Sequence, residues 1–554
     1  MEQIIETREC RRCTVEFHIT DRDQAFYDKI GVPRPTLCHN CRQQRRLAQG
    51  NQLYLYKKKC DLTGKEIISN FHPDSPFKVY DMEAWFSDAW DPCDYGRDFD
   101  FNRPFFEQFK ELWLEVPRPA LQRGYQYDEN SDYTNYAGKN KNCYLIFDSD
   151  QNEDCYYSYS AHEGISSMDC YRFRKGELLY GCVDTDNCYN CYFLQDCSNC
   201  SDSYFLKNCI GCKNCIMCCN LRNKEYHINN KPVSKEEFET YKKGVRSRTY
   251  IEQLRGHFEK FKLQFPQKYI HGVQNENVTG DYLNNCKDSY MCFDSPELWD
   301  CKYVYQAFDA LKDSMDIQEC GDGEKIYESC FGGYNAYDVK FCSHFLGGDP
   351  NDLQYCMYSQ HGSHLFGCVS TRHKKYCILN KQYSKEEYEE LVPKIIEHMK
   401  STGEYGEFFP MSFAHFAYNK TMAQWHYPLT KEQVLAEGLE WREDDPKEYA
   451  PTTYQVPDTI DEISDDILKE VLACGSCSRN YKVMAQELKL LRQMGMPLPT
   501  ECFFCRHDRR HNMRNAKHLF ARECEKCGSG IFTTYSEDRP EIVYCEKCYL
   551  ESVG

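Results

Sequence analysis

Two Cys-x2-Cys pairs that together supply four thiolates restrict a fold more than any other pattern in this sequence, and the arrangement occurs three times. The sets are Cys10, Cys13, Cys38 and Cys41; Cys474, Cys477, Cys502 and Cys505; and Cys524, Cys527, Cys545 and Cys548. A two-residue gap lets a short turn aim both sulfurs at one tetrahedral Zn²⁺. A lone pair would equally suit a redox dithiol or two small buried side chains. Complete sets, with 24 or 17 residues between their pairs, have the zinc-ribbon arrangement. Four protein thiolates leave no open coordination position, so the spacing predicts about three structural Zn²⁺ ions and no catalytic one.

The two ends of the chain are copies of each other. An offset of 464 carries Cys10, Cys13, Cys38 and Cys41 onto Cys474, Cys477, Cys502 and Cys505, and GVPRPTLCHNCRQQRR (31–46) onto GMPLPTECFFCRHDRR (495–510). The register continues, with Cys60 matching Cys524, but Thr63, Asp81 and Ala84 stand where the last module has Cys527, Cys545 and Cys548. This predicts a module that keeps its shape without its metal, held by packing of Ile67, Phe77, Val79 and Trp85.

Of the 36 cysteines in 554 residues, twelve belong to these sets, twenty-two lie between Cys143 and Cys377, and Cys60 and Cys93 stand alone. A chain this long does not need disulfides to offset a small core. With no apolar run long enough to span a bilayer and no basic leader, it is expected in a reducing cytoplasm. The central cysteines follow an Asx-Cys/Ser-Tyr unit, as in Asn142-Cys143-Tyr144, Asp154-Cys155-Tyr156 and Asp202-Ser203-Tyr204, often at 12-residue intervals. Short periodic units of this kind predict a β-solenoid whose rung is either 12 residues or about 24. Cys209, Cys212, Cys215 and Cys219 also have the spacing of a ferredoxin-type iron–sulfur run. Serine at Ser203, Ser289 and Ser314 in the equivalent slot argues for a small inward residue instead, because serine is a poor iron or zinc ligand.

A second duplication, offset by 150, matches Asn230–Phe238 with Asn380–Tyr388. In both, SKEE forms a capping box from Ser234 with Glu237 or Ser384 with Glu387, which starts a helix. The first helix is expected to run with breaks toward Phe265. Further helices are expected at Phe105–Trp113, as a core stripe, after Thr430, and around Ile463–Leu472. The expected fold is mainly β with accessory helices: terminal zinc-ribbon modules flanking two Cys/Tyr-rich β-solenoid arms, each capped by a helix. The divisions are a ribbon (1–59), a degenerate ribbon (60–92), an aromatic and acidic helical connector (93–129), arm 1 (130–233), its capping helix (234–275), arm 2 (276–383), a capping helix with connector (384–473), and two ribbons (474–523 and 524–554).

The net charge is −18, yet Lys and Arg outnumber Asp and Glu in residues 1–60 and 474–554. Arg42, Arg45 and Arg46, with their copies Arg506, Arg509 and Arg510, share a helix face if the segment is helical. With Lys57, Lys58 and Lys59 they are the candidates for RNA or DNA contact. The same guanidinium groups would equally suit carboxylates of the acidic middle. No phosphate-loop, nucleophile-elbow, HExxH or dinucleotide-binding pattern occurs, and no small-molecule substrate is indicated.

The string CxxC…FYxKxGVPxPTxCxxCRxxRR (10–46), followed by KKCDLTGKxIIS and FKVYD, resembles a family of Cys-rich bacterial proteins of candidate-phylum type to which no activity is attached. The resemblance implies zinc ribbons flanking a repeat region. Together these readings predict a non-enzymatic, zinc-stabilised binding or scaffold protein that contacts RNA or DNA through its ends. The alternatives are a pure protein–protein scaffold, with partners on the solenoid faces, and an iron–sulfur redox protein using Cys209–Cys219.

Overall fold

From Tyr136 to Asn229 every third residue of the computed structural model has φ between +46° and +67°. (The structure describes residues 2–444, 449–452 and 454–553.) A left-handed residue turns the chain sharply, and four such turns bring it back over its own start. Residue i therefore pairs in parallel with i+12, as in Tyr171 with Val183, Val183 with Gln195, and Gln195 with Lys207. One turn of chain is thus twelve residues, four sides of three, and the alternative of 24 is not met. Asn and Asp tolerate positive φ better than other non-glycine residues, which explains why the repeat begins with Asx.

The residue after each corner points inward. One interior column reads Cys143, Cys155, Ser167, Leu179, Cys191, Ser203, Cys215, all buried. The hydrogen bonds explain why cysteine and serine exchange there. Ser203 Oγ donates to the Ser201 carbonyl at 2.7 Å and accepts the Cys215 amide, one turn on, at 3.1 Å. Cys197 does the same with sulfur: Sγ donates to the Gln195 carbonyl at 3.2 Å and accepts the Cys209 amide at 3.4 Å. The slot needs a small side chain that is both donor and acceptor, and both residues qualify.

Two sheets are built this way, of 13 strands between Arg123 and Pro232 and of 14 strands between Gly272 and Gln382. The second contains extra corner residues, so its register widens to 13 at Lys302–Met315 and to 14 at Tyr337–Asn351. One corner column of the first sheet lies against one of the second, running in opposite senses. Tyr136 meets His344 at 2.6 Å, Gln306 donates to Asp148, and Tyr282 donates to Asp196 at 2.7 Å.

Both capping boxes form, starting helices Lys235–Lys242 and Lys385–Ser401. The first continues after a break as Arg248–Phe261, capped by Ser247. The Phe105–Glu115 helix buries Phe105, Phe109, Leu112 and Trp113 in a core shared with the second sheet, and Thr430 caps Lys431–Ala436. The acidic helix expected at Ile463–Leu472 is only a 3-10 turn, Asp465–Lys469. Three of its five residues are Asp or Lys facing solvent, leaving Ile467 to anchor it. No helix among the described residues is long and apolar enough to cross a membrane.

Candidate metal centres and the arginine clamps

Each terminal module places its first Cys pair in a β-hairpin and its second at a helix N-terminus. In the first, Cys10 and Cys13 follow strand Ile4–Glu9, and Cys38 and Cys41 begin the helix His39–Leu47. In its copy, Cys502 and Cys505 begin Phe503–His511, and in the last module Cys545 and Cys548 begin Glu546–Val553. The modules are therefore not ribbons of two hairpin knuckles. In the first module and its copy the helix carries an arginine face that docks on the sheets, and in the last it carries Tyr549, whose hydroxyl donates to Asn220 at 3.1 Å.

The knuckle is the same in every copy. Cys10 N–H bonds the Val15 carbonyl at 3.0 Å and Cys474 N–H bonds that of Arg479 at 2.9 Å, with Thr14 and Ser478 left-handed at φ 59° and 60°. In each set the four sulfurs lie within 4.8 Å of one another. Sγ–Sγ distances of 3.7 Å for Cys13–Cys38, Cys477–Cys502 and Cys474–Cys505, and 3.8 Å for Cys527–Cys545, match the edge of a tetrahedron with Zn–S of about 2.3 Å. The residues fit zinc, and the three four-thiolate groups are consistent with about three structural ions.

The metal-free module keeps the same knuckle. Cys60 N–H bonds the Lys65 carbonyl at 2.8 Å, and Gly64, like Gly528, has φ +72°. Hydrogen bonds occupy the place of the ion: Thr63 Oγ1 donates to Asp81 at 3.1 Å, and Asp81 N–H points at Cys60 Sγ at 3.3 Å. Asp81 also accepts the Ala84 amide, capping the helix Met82–Phe86. Trp85 and Val79 are fully buried, Phe77 nearly so, and Ile67 packs at the margin.

Cys209, Cys212, Cys215 and Cys219 do not form a cluster site. The first three are successive inward residues on different sides of one turn, which is what gives them a spacing of three. Cys219 lies outside the turn among aromatic residues. The ferredoxin-like spacing is the triplet repeat itself. Among the described residues, only the three terminal sets gather four thiolates.

The arginines share a helix face, but that face is buried. Arg42 and Arg46 converge on Asp316 at 2.8 and 3.3 Å, and Arg45 reaches Glu328 at 2.6 Å and Glu407 at 3.1 Å. In the copy, Arg506 and Arg510 converge on Asp169, Arg510 at 3.1 Å. Each module helix thus clamps one sheet, the N-terminal copy holding the second sheet and the C-terminal copy the first. Five of the six candidate arginines are buried and turned to the chain's own carboxylates, so they are not placed for phosphate contact; Arg509 is exposed and pairs with Glu501. Lys57 and Lys59 are exposed on the strand Tyr56–Lys59, with Lys57 3.3 Å from Glu66, and Lys58 donates to the Pro73 carbonyl.

Asp169 begins one of the Asx-Cys-Tyr units, Asp169-Cys170-Tyr171, whereas no local pattern singles out the carboxylates Asp316 and Glu328. All three occupy left-handed corners, at φ 56°, 60° and 41°. Counting in threes from the Asx positions would have placed them on the outer edge.

Residues 6–50 match a family model described as "Probable treble clef domain", which agrees with the hairpin-plus-helix layout of the first module. The match covers one module, so it defines a treble-clef zinc-binding domain at one end of a longer chain. No curated protein and no solved structure matches the chain.

Proposed function

We propose that this chain is a non-enzymatic, zinc-stabilised scaffold, in which treble-clef-like ends lock two solenoid arms side by side and the arms present a binding surface. The observation that carries this reading is the pair of equivalent clamps, Arg42 and Arg46 on Asp316 and Arg506 and Arg510 on Asp169. Arginines committed to internal carboxylates organise the protein and leave little for an outside anion. The zinc sites supply the rigidity with which each helix is aimed. A reducing, cytoplasmic setting, in which the buried interior cysteines serve as small hydrogen-bonding side chains, is part of this proposal. The division into modules, arms and capping helices at the sequence boundaries belongs to the same reading.

Contact of the basic ends with RNA or DNA narrows to the exposed candidates, Lys57 and Lys59 on the strand Tyr56–Lys59 and Arg509 in the C-terminal copy. Fluorescence anisotropy with single- and double-stranded probes at two salt concentrations tests the scaffold reading. The scaffold predicts that Arg42→Glu lowers stability and leaves probe binding unaltered. A steep salt-dependent affinity lost in Arg42→Glu, with zinc content intact, would refute it.

A further inference from the structure

The duplicated clamps differ one turn above the clamped aspartate. In the second sheet the corner column rises from Asp316 to Glu328, then Phe341, then Tyr355. In the first it rises from Asp169 to Gly181, then Phe193, then Phe205. Glu328 receives Arg45. Gly181 has no side chain to offer Arg509, the copy of Arg45.

The aromatic pairs above are alike: Phe341 and Tyr355 stack at 4.8 Å, and so do Phe193 and Phe205. Around the first pair the protein supplies its own plug, with Phe105 at 5.2 Å and Phe409 at 6.1 Å from Tyr355. Beside the second pair lies a cavity of about 730 Å³. Its walls carry Arg255, Lys260, Lys262, Arg509, Arg510 and Arg539 against Asp169, Glu259 and Glu541, which pair with Arg510, Lys262 and Arg539. Arg509 reaches the half-buried Glu501 outside the lining, so the cations outnumber the carboxylates and an anion would compete with Glu501 and Glu541. This is a cationic hollow in a chain of net charge −18.

We infer that this cavity binds a nucleotide: a planar base against Phe193 and Arg255, with a phosphate at Arg509 and Arg539 in the role that Glu328 plays for Arg45. The Arg255 guanidinium already lies 5.2 Å from the Phe193 ring centre, leaving a stacked aromatic and cationic wall. Its ion pair, with Glu252, is 3.4 Å long. Burial and the neighbouring Arg509 charge hold Arg255 below the usual arginine range, an imbalance that an anion would relieve. Arg510 has a buried Nε without a hydrogen-bond partner. The volume falls in the range of small-molecule sites, about 300–1,000 Å³.

The same chemistry is offered by a free nucleotide and by the 5′-phosphorylated end of a single strand. Isothermal titration of the zinc-loaded full chain with AMP, adenosine, inorganic phosphate, and a hexanucleotide with and without a 5′-phosphate tests the site and its source. AMP is expected to bind, adenosine and phosphate each at least about tenfold more weakly, and Arg509→Gln and Phe193→Leu are each expected to weaken AMP by about tenfold. Phosphorylated hexanucleotide competing with AMP identifies a strand end, and failure to compete identifies the free nucleotide. Should either variant lose zinc, Arg255→Gln replaces it. No heat with AMP at millimolar concentration, or binding unchanged in these variants, overturns the inference and leaves the clamp-based scaffold untouched.

Discussion

Arg510 donates to Asp169 across 3.1 Å with both side chains buried, and the two lie 341 positions apart in the chain. A hydrogen bond of that span fixes the C-terminal module to the first sheet, as Arg46 and Asp316 fix the N-terminal module to the second. Removing one partner of a buried pair strands the other charge, a loss of about 3–5 kcal/mol. Asp316 serves two guanidinium groups, so Asp316→Ala should cost more than Arg42→Ala, which leaves the carboxylate one partner. Urea unfolding of both variants checks the order; equal midpoints would mean that the clamp is screened by water.

The module around Cys60 predicts a gain of function. Its knuckle already has the hydrogen bonds of the metal-binding copies, and three ligand positions are missing at Thr63, Asp81 and Ala84. The triple variant Thr63→Cys, Asp81→Cys, Ala84→Cys should raise the zinc content by one ion per chain, measured by plasma mass spectrometry. Cys60→Ser alone should leave it unchanged, whereas Cys13→Ser should lower it and destabilise the helix at His39. Ala84 is buried against Trp85, so a fourth ion that fails to appear would show that the packing has closed the site.

The interior column makes a prediction that separates packing from metal chemistry. Cys197→Ser keeps both a donor for the Gln195 carbonyl and an acceptor for the Cys209 amide. Cys197→Val fills the space but leaves that amide unsatisfied, at about 1–3 kcal/mol. Thermal unfolding should therefore rank wild type and Cys197→Ser close together and Cys197→Val well below, with zinc content the same in all three. The reverse ranking would show that size, not hydrogen bonding, governs the slot.

The thiolate sets, both duplications, the 12-residue period and the capping boxes at Ser234 and Ser384 were legible because each is a local pattern with one chemical use. The hairpin-plus-helix form of the modules was not, since Cys-x2-Cys spacing is the same in a hairpin knuckle and at a helix N-terminus. The fate of Arg42, Arg45 and Arg46 was half legible. Their shared face followed from i, i+3, i+4 spacing, but Asp316 is 270 or more residues away, and no local pattern says which charges will be buried together. The cavity at Phe193 depends on a difference between copies, Gly181 against Glu328, that becomes visible only once insertions in the second sheet are aligned by register.

Two carboxyl groups buried where the two large sheets meet give the stability a pH dependence. Asp148 of the first sheet accepts from Gln306, and Glu319 of the second accepts from Gln52 at 2.6 Å and Gln318 at 3.1 Å. Burial pushes Glu319 from 4.5 up to about 7, against the pull of Lys517. Burial and the Glu319 charge push Asp148 up as well, partly offset by Ser160 and Arg172. With its pKa raised on folding, Glu319 binds a proton in the folded state between about pH 4.5 and 7 that the unfolded chain has released. Stability from this group is therefore complete below pH 4.5 and lost as pH rises through 7, a fall on the order of 3 kcal/mol. Glu319→Gln, which resembles the protonated form, should flatten that fall and be more stable than wild type at pH 8. Urea midpoints from pH 5 to 8, with zinc in excess to hold the thiolate sites loaded, check this; parallel curves for the two proteins would place the titration elsewhere.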